Sequence, residues 1–262
     1  MKRITSRDNP AWKSLVRLCH SSRDRRKSGK CVLEGAHTIL ACLERHGTPE
    51  LVVVSDEIAS SSDVLRIAKA TGERNMIVAD ARLFDELSQT ATPAGIVAVI
   101  VAPSPRSANP GELNLLLEDV QDPGNVGTIL RSAAAAGVDH VFLSPGCAFA
   151  WSPKVLRAGQ GAHFFVDIVE DANLAAVASN FHGKVVATDP RAETSLFTAD
   201  LTGPLMLMVG NEGAGLSAAL IGCAKWTVSI PMPGGFESLN AATAASICLF
   251  ERVRQTGALT TE

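Results

Sequence analysis

The fold is decided by residues 205–254, LMLMVGNEGAGLSAALIGCAKWTVSIPMPGGFESLNAATAASICLFERVR. Two units there repeat one logic. Leu205–Val209 is an apolar run of strand length that meets the glycine-rich loop Gly210-Asn211-Glu212-Gly213-Ala214-Gly215. Trp226–Ile230 is a second such run, and it meets Pro231-Met232-Pro233-Gly234-Gly235. Each loop leads into a helical pattern. Strand, glycine turn and helix in succession build the ligand sites of α/β proteins, because loop N–H groups and a helix N-terminus can face a ligand. Glu237, Ser238 and Asn240 crowd the start of the last helix, more polar groups than a plain turn requires.

Working upstream, the same alternation continues. Leu113–Leu117 predicts a strand, Asp122–Asn125 a turn, Val126–Ala136 a helix stopped by Gly137, and Val141–Leu143 a strand. Pro153–Ala158 predicts a helix, Phe164–Ile168 a strand, Leu174–Ala178 a helix and Lys184–Ala187 a strand. With the two glycine-loop units this makes about six strands of parallel type. Residues 1–102 predict a smaller α/β domain. Its helices are Pro10–Cys19, Gly35–Arg45, Asp63–Ala70 and Ala81–Leu87, and its strands are Cys31–Leu33, Leu51–Val54, Met76–Val78 and Ile96–Val101. A mostly parallel sheet is expected there too. Ala102–Gly111, with three prolines and little apolar content, is the linker candidate, so the domains are taken as 1–105 and 106–262.

Composition narrows the function classes. A chain of 262 residues with 46% hydrophobic and 19% charged content builds a large core. No run of 18 apolar residues suggests a membrane span, and the first residues do not form a secretory signal. The six cysteines never stand at Cys-x-x-Cys spacing, which points to buried free thiols in a reducing cytoplasm and to no metal site. Residues 1–30 hold ten Lys/Arg against Asp8 and Asp24, whereas the remainder holds 14 basic and 25 acidic residues. A basic end on an acidic protein suits a polyanion such as nucleic acid, or else is a solvated terminus.

Three constellations carry chemistry. In DPGNVGTILRSAAAAG, Arg131 stands on an otherwise apolar helix, where a guanidinium must be paired, face a cleft or snorkel to the surface. Asn125 could cap that helix or border the loop end of the sheet. In GNEGAGL the glycines at 210, 213 and 215 do not follow the dinucleotide order, and no stretch ends as a P-loop does. Glu212 has little local structural purpose among them. In IPMPGGFESLNAATAA, Ser238 either caps the helix or forms a polar cluster with Glu237 and Asn240. There is no G-x-S-x-G elbow for a serine hydrolase. Glu34 and His37 flank a glycine but suggest structure rather than catalysis.

The order NxGxxxR, GNEGxGL, IPMxGxxESLNAA resembles the SpoU (TrmH-like) branch of the SPOUT RNA ribose 2′-O-methyltransferases. Upstream, Ile4–Leu18, Arg25–His37 and Thr90–Ile100 resemble the RNA substrate-binding domain often joined to these enzymes. The resemblance implies a C-terminal SPOUT domain with a deep trefoil knot, a homodimer, and structured RNA as substrate, with ribosomal RNA expected and transfer RNA the alternative. It implies S-adenosyl-L-methionine as cofactor, held by Thr188, Gly210, Ile230 and Leu239, and polar catalytic positions at Asn125, Arg131, Glu212, Ser238 and Asn240. Phe236 with two preceding glycines departs from the third motif in a segment that bears on substrate fit. A non-catalytic RNA-binding protein of the same fold, or a nucleotide-dependent oxidoreductase, are the competing classes.

Overall fold

The computed structural model describes residues 2–88, 92–107 and 109–257. Thr90 and Ala91 of the Thr90–Ile100 motif and Ala108 of the linker lie outside them. The chain forms two compact units. The first comprises Met1–Pro103 together with Trp151–Phe164, and the second Ser104–Ala150 with Phe165–Glu262. The first unit is therefore discontinuous, which a boundary read at 105/106 from a proline-rich stretch does not foresee.

In the first unit, β1 (Lys2–Ile4) is followed by α1 (Pro10–His20) and α2 (Ser22–Ser28). Then come β2 (Lys30–Glu34), α3 (Ala36–Arg45), β3 (Leu51–Ser55), α4 (Ser62–Thr71), β4 (Met76–Ala79), α5 (Ala81–Phe84) and β5 (Ile96–Val101). The strand order is β1-β4-β3-β5-β2. β1 and β3 pair parallel to β4, but β5 runs antiparallel to both β3 and β2. The sheet is thus mixed, not mostly parallel, because the chain reaches β5 from α5 without the long crossover helix that a parallel return needs. α1 starts where Asn9 accepts from Ala11 N–H and Pro10 occupies the first turn, where its missing N–H costs nothing. Trp12, Leu15 and Cys19 then bury one face of α1 against Ile4, Val53, Phe84 and Val97.

In the second unit β6 (Leu113–Leu117) leads to α6 (Pro123–Ala135) and β7 (His140–Leu143). The excursion into the first unit carries α7 (Pro153–Gly159) and a 3₁₀ turn at Ala162–Phe164. There Arg157 donates to Glu34 at 3.2 Å, and Ser88 donates to the same carboxylate at 2.8 Å, so Glu34 serves structure. The second unit resumes with β8 (Asp167–Val169), α8 (Leu174–Ser179), β9 (Lys184–Thr188), β10 (Leu205–Val209), α9 (Ala218–Ile221), β11 (Trp226–Val228) and α10 (Ala241–Thr256). The expected strand at Phe164–Ile168 lies later, because Phe164 is still in the 3₁₀ turn.

All six strands are parallel, in the order β11-β9-β10-β6-β7-β8. β6 and β10 are buried along their whole lengths, as continuous apolar strands covered on both faces must be. The strand order reverses between them: β7 and β8 extend the sheet to one side of β6, and β10, β9 and β11 to the other. In open parallel sheets ligands bind outside the carboxyl ends of the strands at such a reversal.

Candidate active site

The loops that follow β6, β9, β10 and β11 all leave from that carboxyl edge. After β10, Gly210 has no room for a side chain. A Cβ there would stand 2.3 Å from the Gly215 carbonyl and 2.5 Å from Leu216 N. The loop closes on itself through Asn211 N–H to Gly215 O at 3.1 Å and Gly215 N–H to Asn211 O at 2.9 Å, with Gly215 at φ +70°. The Asn211 side chain accepts from Gly213 and Ala214 N–H and donates to Asp119 O at 2.9 Å, so it pins this loop to the end of β6. Glu118 accepts from Ser217 N–H at 2.6 Å and makes a second tie. The sequence reading missed Asn211, although an Asn among glycines signals an Asx turn.

A cavity of about 390 Å³ lies between the two glycine loops, within the roughly 300–1,000 Å³ usual for small-molecule sites. Val209, Leu216, Val228, Ile230 and Leu239 give it apolar walls, while Thr188, Asp189, Arg191, Glu212, Glu237 and Ser238 line it with polar groups. Gly210 lines it as well. All four positions expected at the cofactor therefore meet in one cavity, with Glu212 and Ser238. Thr188 is held by its hydroxyl, which donates to Met208 O at 3.0 Å.

Asn125 and Asn240 are not among the lining residues, but a chain of hydrogen bonds links them to the cavity. Asn240 Nδ2 donates to Asn125 Oδ1 at 2.9 Å, and Asn125 Nδ2 donates to Glu212 Oε1 at 2.5 Å. The helix caps differ from the simplest expectations. Asp122, not Asn125, caps α6 by accepting from Asn125 N–H, and the helix begins at Pro123 where a turn was expected. Asn240, not Ser238, caps α10 by accepting from Ala242 and Thr243 N–H. Arg131 lies apart. It is exposed on α6, does not line the cavity, and has no hydrogen-bonding partner among the described residues. The sequence reading also missed Asp189 and Arg191, a Thr-Asp-Pro-Arg turn leaving β9 with no glycine to draw attention. The guanidinium hydrogen bonds of Arg191 hold the Asp189 carboxyl below its ordinary range.

No group of three or more His, Cys, Asp or Glu among the described residues is placed to hold a metal ion, and no described helix is long and apolar enough to cross a membrane. A cavity at the sheet reversal, walled by two glycine loops and edged by linked amides and carboxylates, defines an α/β enzyme that binds a small organic cofactor. Residues 112–250 match the model of the SpoU rRNA methylase family, and residues 9–98 match the MRM3-like substrate-binding domain. The 23S rRNA (guanosine(2553)-2′-O)-methyltransferase RlmP of Bacillus subtilis is 35% identical over 95% of this chain and 98% of its own. The SpoU methyltransferase AviRb of Streptomyces viridochromogenes, crystallised with AdoMet, superposes with a TM-score of 0.83 at 28% identity, covering 95% of this chain and 98% of its own. The TrmH/SpoU tRNA-modifying enzyme of A. aeolicus covers 57% of this chain and 78% of its own, with a TM-score of 0.50 at 27% identity. The chain belongs to the SpoU rRNA methylase family. It is an S-adenosylmethionine-dependent methyltransferase.

The cavity suits that cofactor on its own terms. Its apolar walls can take a purine ring, its carboxylates suit a sulfonium and an ammonium, and the bare backbone at Gly210 allows a close approach.

Proposed function

We propose that the protein transfers a methyl group to a ribose 2′-hydroxyl of structured ribosomal RNA, and does so as a cytoplasmic homodimer without a metal. The observation that carries this is the meeting of Thr188, Gly210, Ile230 and Leu239 around one cavity, with the Asn240–Asn125–Glu212 chain at its edge. Ribosomal rather than transfer RNA is favoured because the RlmP likeness runs the full chain, both domains included, whereas the tRNA-modifying enzyme matches little more than half. The basic first thirty residues suit RNA phosphates.

S-adenosylmethionine, when bound, supplies an electrophilic methyl group that needs no metal to activate it. The protein's residues must hold a 2′-oxygen in line behind that carbon and ease the loss of its proton. Asn125 and Asn240, locked to each other, present a fixed amide edge, and Glu212 and Ser238 supply hydrogen bonds at the cavity wall. Arg131 supports the developing alkoxide or the adjacent phosphate electrostatically, since a guanidinium holds its own protons too tightly to act as a base. Because Arg131 stands away from the cavity of its own chain, it enters the site of the partner across the homodimer. The deep trefoil knot belongs to the same proposal.

Mixing variants tests this. Arg131→Ala should lower single-turnover methyl transfer by at least about a hundredfold while leaving cofactor affinity intact. Co-assembly with a Gly210 variant that cannot bind cofactor should recover part of the activity, because one site then receives an intact Arg131 from its neighbour. No recovery in a verified mixed dimer would place Arg131 in its own chain's site, and undiminished activity of Arg131→Ala would remove it from the mechanism.

A further inference from the structure

Arg191 is the one Lys or Arg among the described residues that line the cavity, against three carboxylates: Asp189, Glu212 and Glu237. Its side chain is held in place by its neighbour Asp189. The turn after β9 is anchored by Asp189 N–H donating to Val228 O at 3.0 Å. The Asp189 carboxylate then accepts from Arg191 N–H at 2.9 Å, from Nε at 3.1 Å and, through its other oxygen, from Nη2 at 3.1 Å. A residue and its neighbour two positions on are thus locked into a single bidentate plate. A guanidinium has five N–H donors and this clamp uses two, so three remain with no partner among the described residues. The Arg191 side chain is 84% exposed, so its orientation comes from the Asp189 clamp rather than from packing.

An exposed ion pair between residues two apart adds little to stability. A prepared cation at the rim of an otherwise acidic cavity has a different use. The cofactor assigned to this cavity carries two positive groups, the sulfonium and the ammonium, and one negative group, the α-carboxylate. With Asp189 taken up by Arg191, the carboxylates of Glu212 and Glu237 suit the first two and repel the third. We infer that Arg191, held by Asp189, binds the α-carboxylate of S-adenosylmethionine. Asp189 acts as the positioning residue, and the remaining guanidinium donors make the charge-assisted contact. This assignment rests on the cavity being the cofactor site.

Calorimetric titration of the full-length protein tests it with two probes, S-adenosylmethionine and its decarboxylated analogue, which keeps the sulfonium and the ammonium. Arg191→Ala should weaken the first by about tenfold or more and leave the second unchanged. Asp189→Asn should give a smaller loss of the same selectivity. Arg191→Lys should recover part of it, because charge survives but the fork does not. Equal losses for both probes, or no loss for either, would overturn the assignment of Arg191. So would an effect of Arg191→Ala confined to RNA affinity, which would mean that the guanidinium meets a phosphate. If the wild-type protein binds neither probe, the cavity itself has been misassigned and the inference falls with it.

Discussion

Gly210 and Gly213 lie three residues apart in one loop and answer a methyl group in opposite ways. At Gly210 a Cβ meets the backbone of Gly215 and Leu216, and neither can move without opening the Asn211–Gly215 closure. At Gly213 the nearest atom is Asn211 Oδ1, 3.6 Å away, which is ordinary contact. Gly210→Ala should therefore destabilise the protein by about 1–3 kcal/mol and abolish measurable cofactor binding. Gly213→Ala should leave the melting temperature near that of the wild type, since stiffening the unfolded chain offsets small losses. Thermal melts and cofactor titration of both variants check this pair, and similar behaviour of the two would mean that backbone crowding does not shape the loop. That Gly210, Ile230 and Leu239 meet at one cavity was legible because each lies in or beside a contiguous motif whose resemblance implied it. Asn211 reaches Asp119, a partner that the sequence order does not reveal, and Arg191 stands at the cavity rim because the fold brings the turn after β9 beside the two glycine loops.

Helix α2 shows how far a charge pattern can be read at the level of an element. Its sequence SRDRRKS has no apolar periodicity, and no helix was expected there. Nor do its basic residues share one role. Arg25 is buried, and its Nη1 donates to the carbonyls of Leu18 and Cys19 at 2.8 Å each, closing the end of α1. Burial pushes its pKa down and raises that of the neighbouring Cys19 thiol to about 12. Arg23 and Lys27 are exposed. Reversing Arg23 and Lys27 should weaken RNA binding and reduce its salt dependence by about one phosphate contact for each charge lost, without changing stability. Arg25→Ala should instead destabilise by about 1–3 kcal/mol, because the buried Cys19 carbonyl and the part-buried Leu18 carbonyl lose their donor. Salt-series binding and denaturant melts separate the two effects, and a stable Arg25→Ala protein with weakened RNA affinity would reverse these roles. The strands were more legible. Leu205–Val209 emerges with the bounds read from the sequence because it is apolar throughout and buried on both faces. The direction of β5 was not legible, since antiparallel pairing to β2 and β3 depends on partners more than forty residues away.

At the scale of the whole molecule, all three motifs fall beyond the proline-rich linker, which suggests that residues 112–262 could stand alone. The discontinuity of the first unit says otherwise. That fragment would carry Trp151–Phe164 without the residues it groups with, exposing buried Val155, Leu156, Ala162 and His163. The fragment should be cut by protease within 151–164 and tend to associate, whereas the full chain should resist cutting there. Limited proteolysis with mass analysis decides it, and a fragment as resistant as the full chain would show that this stretch needs no partner. The same discontinuity sets an order on synthesis. The last piece of the N-terminal unit leaves the ribosome roughly sixty residues after Pro103. At about 5–20 residues per second, that is a wait of about 3–12 s. During that interval β6, α6 and β7 are already being made, so the N-terminal unit of the nascent chain cannot finish before the second unit has begun.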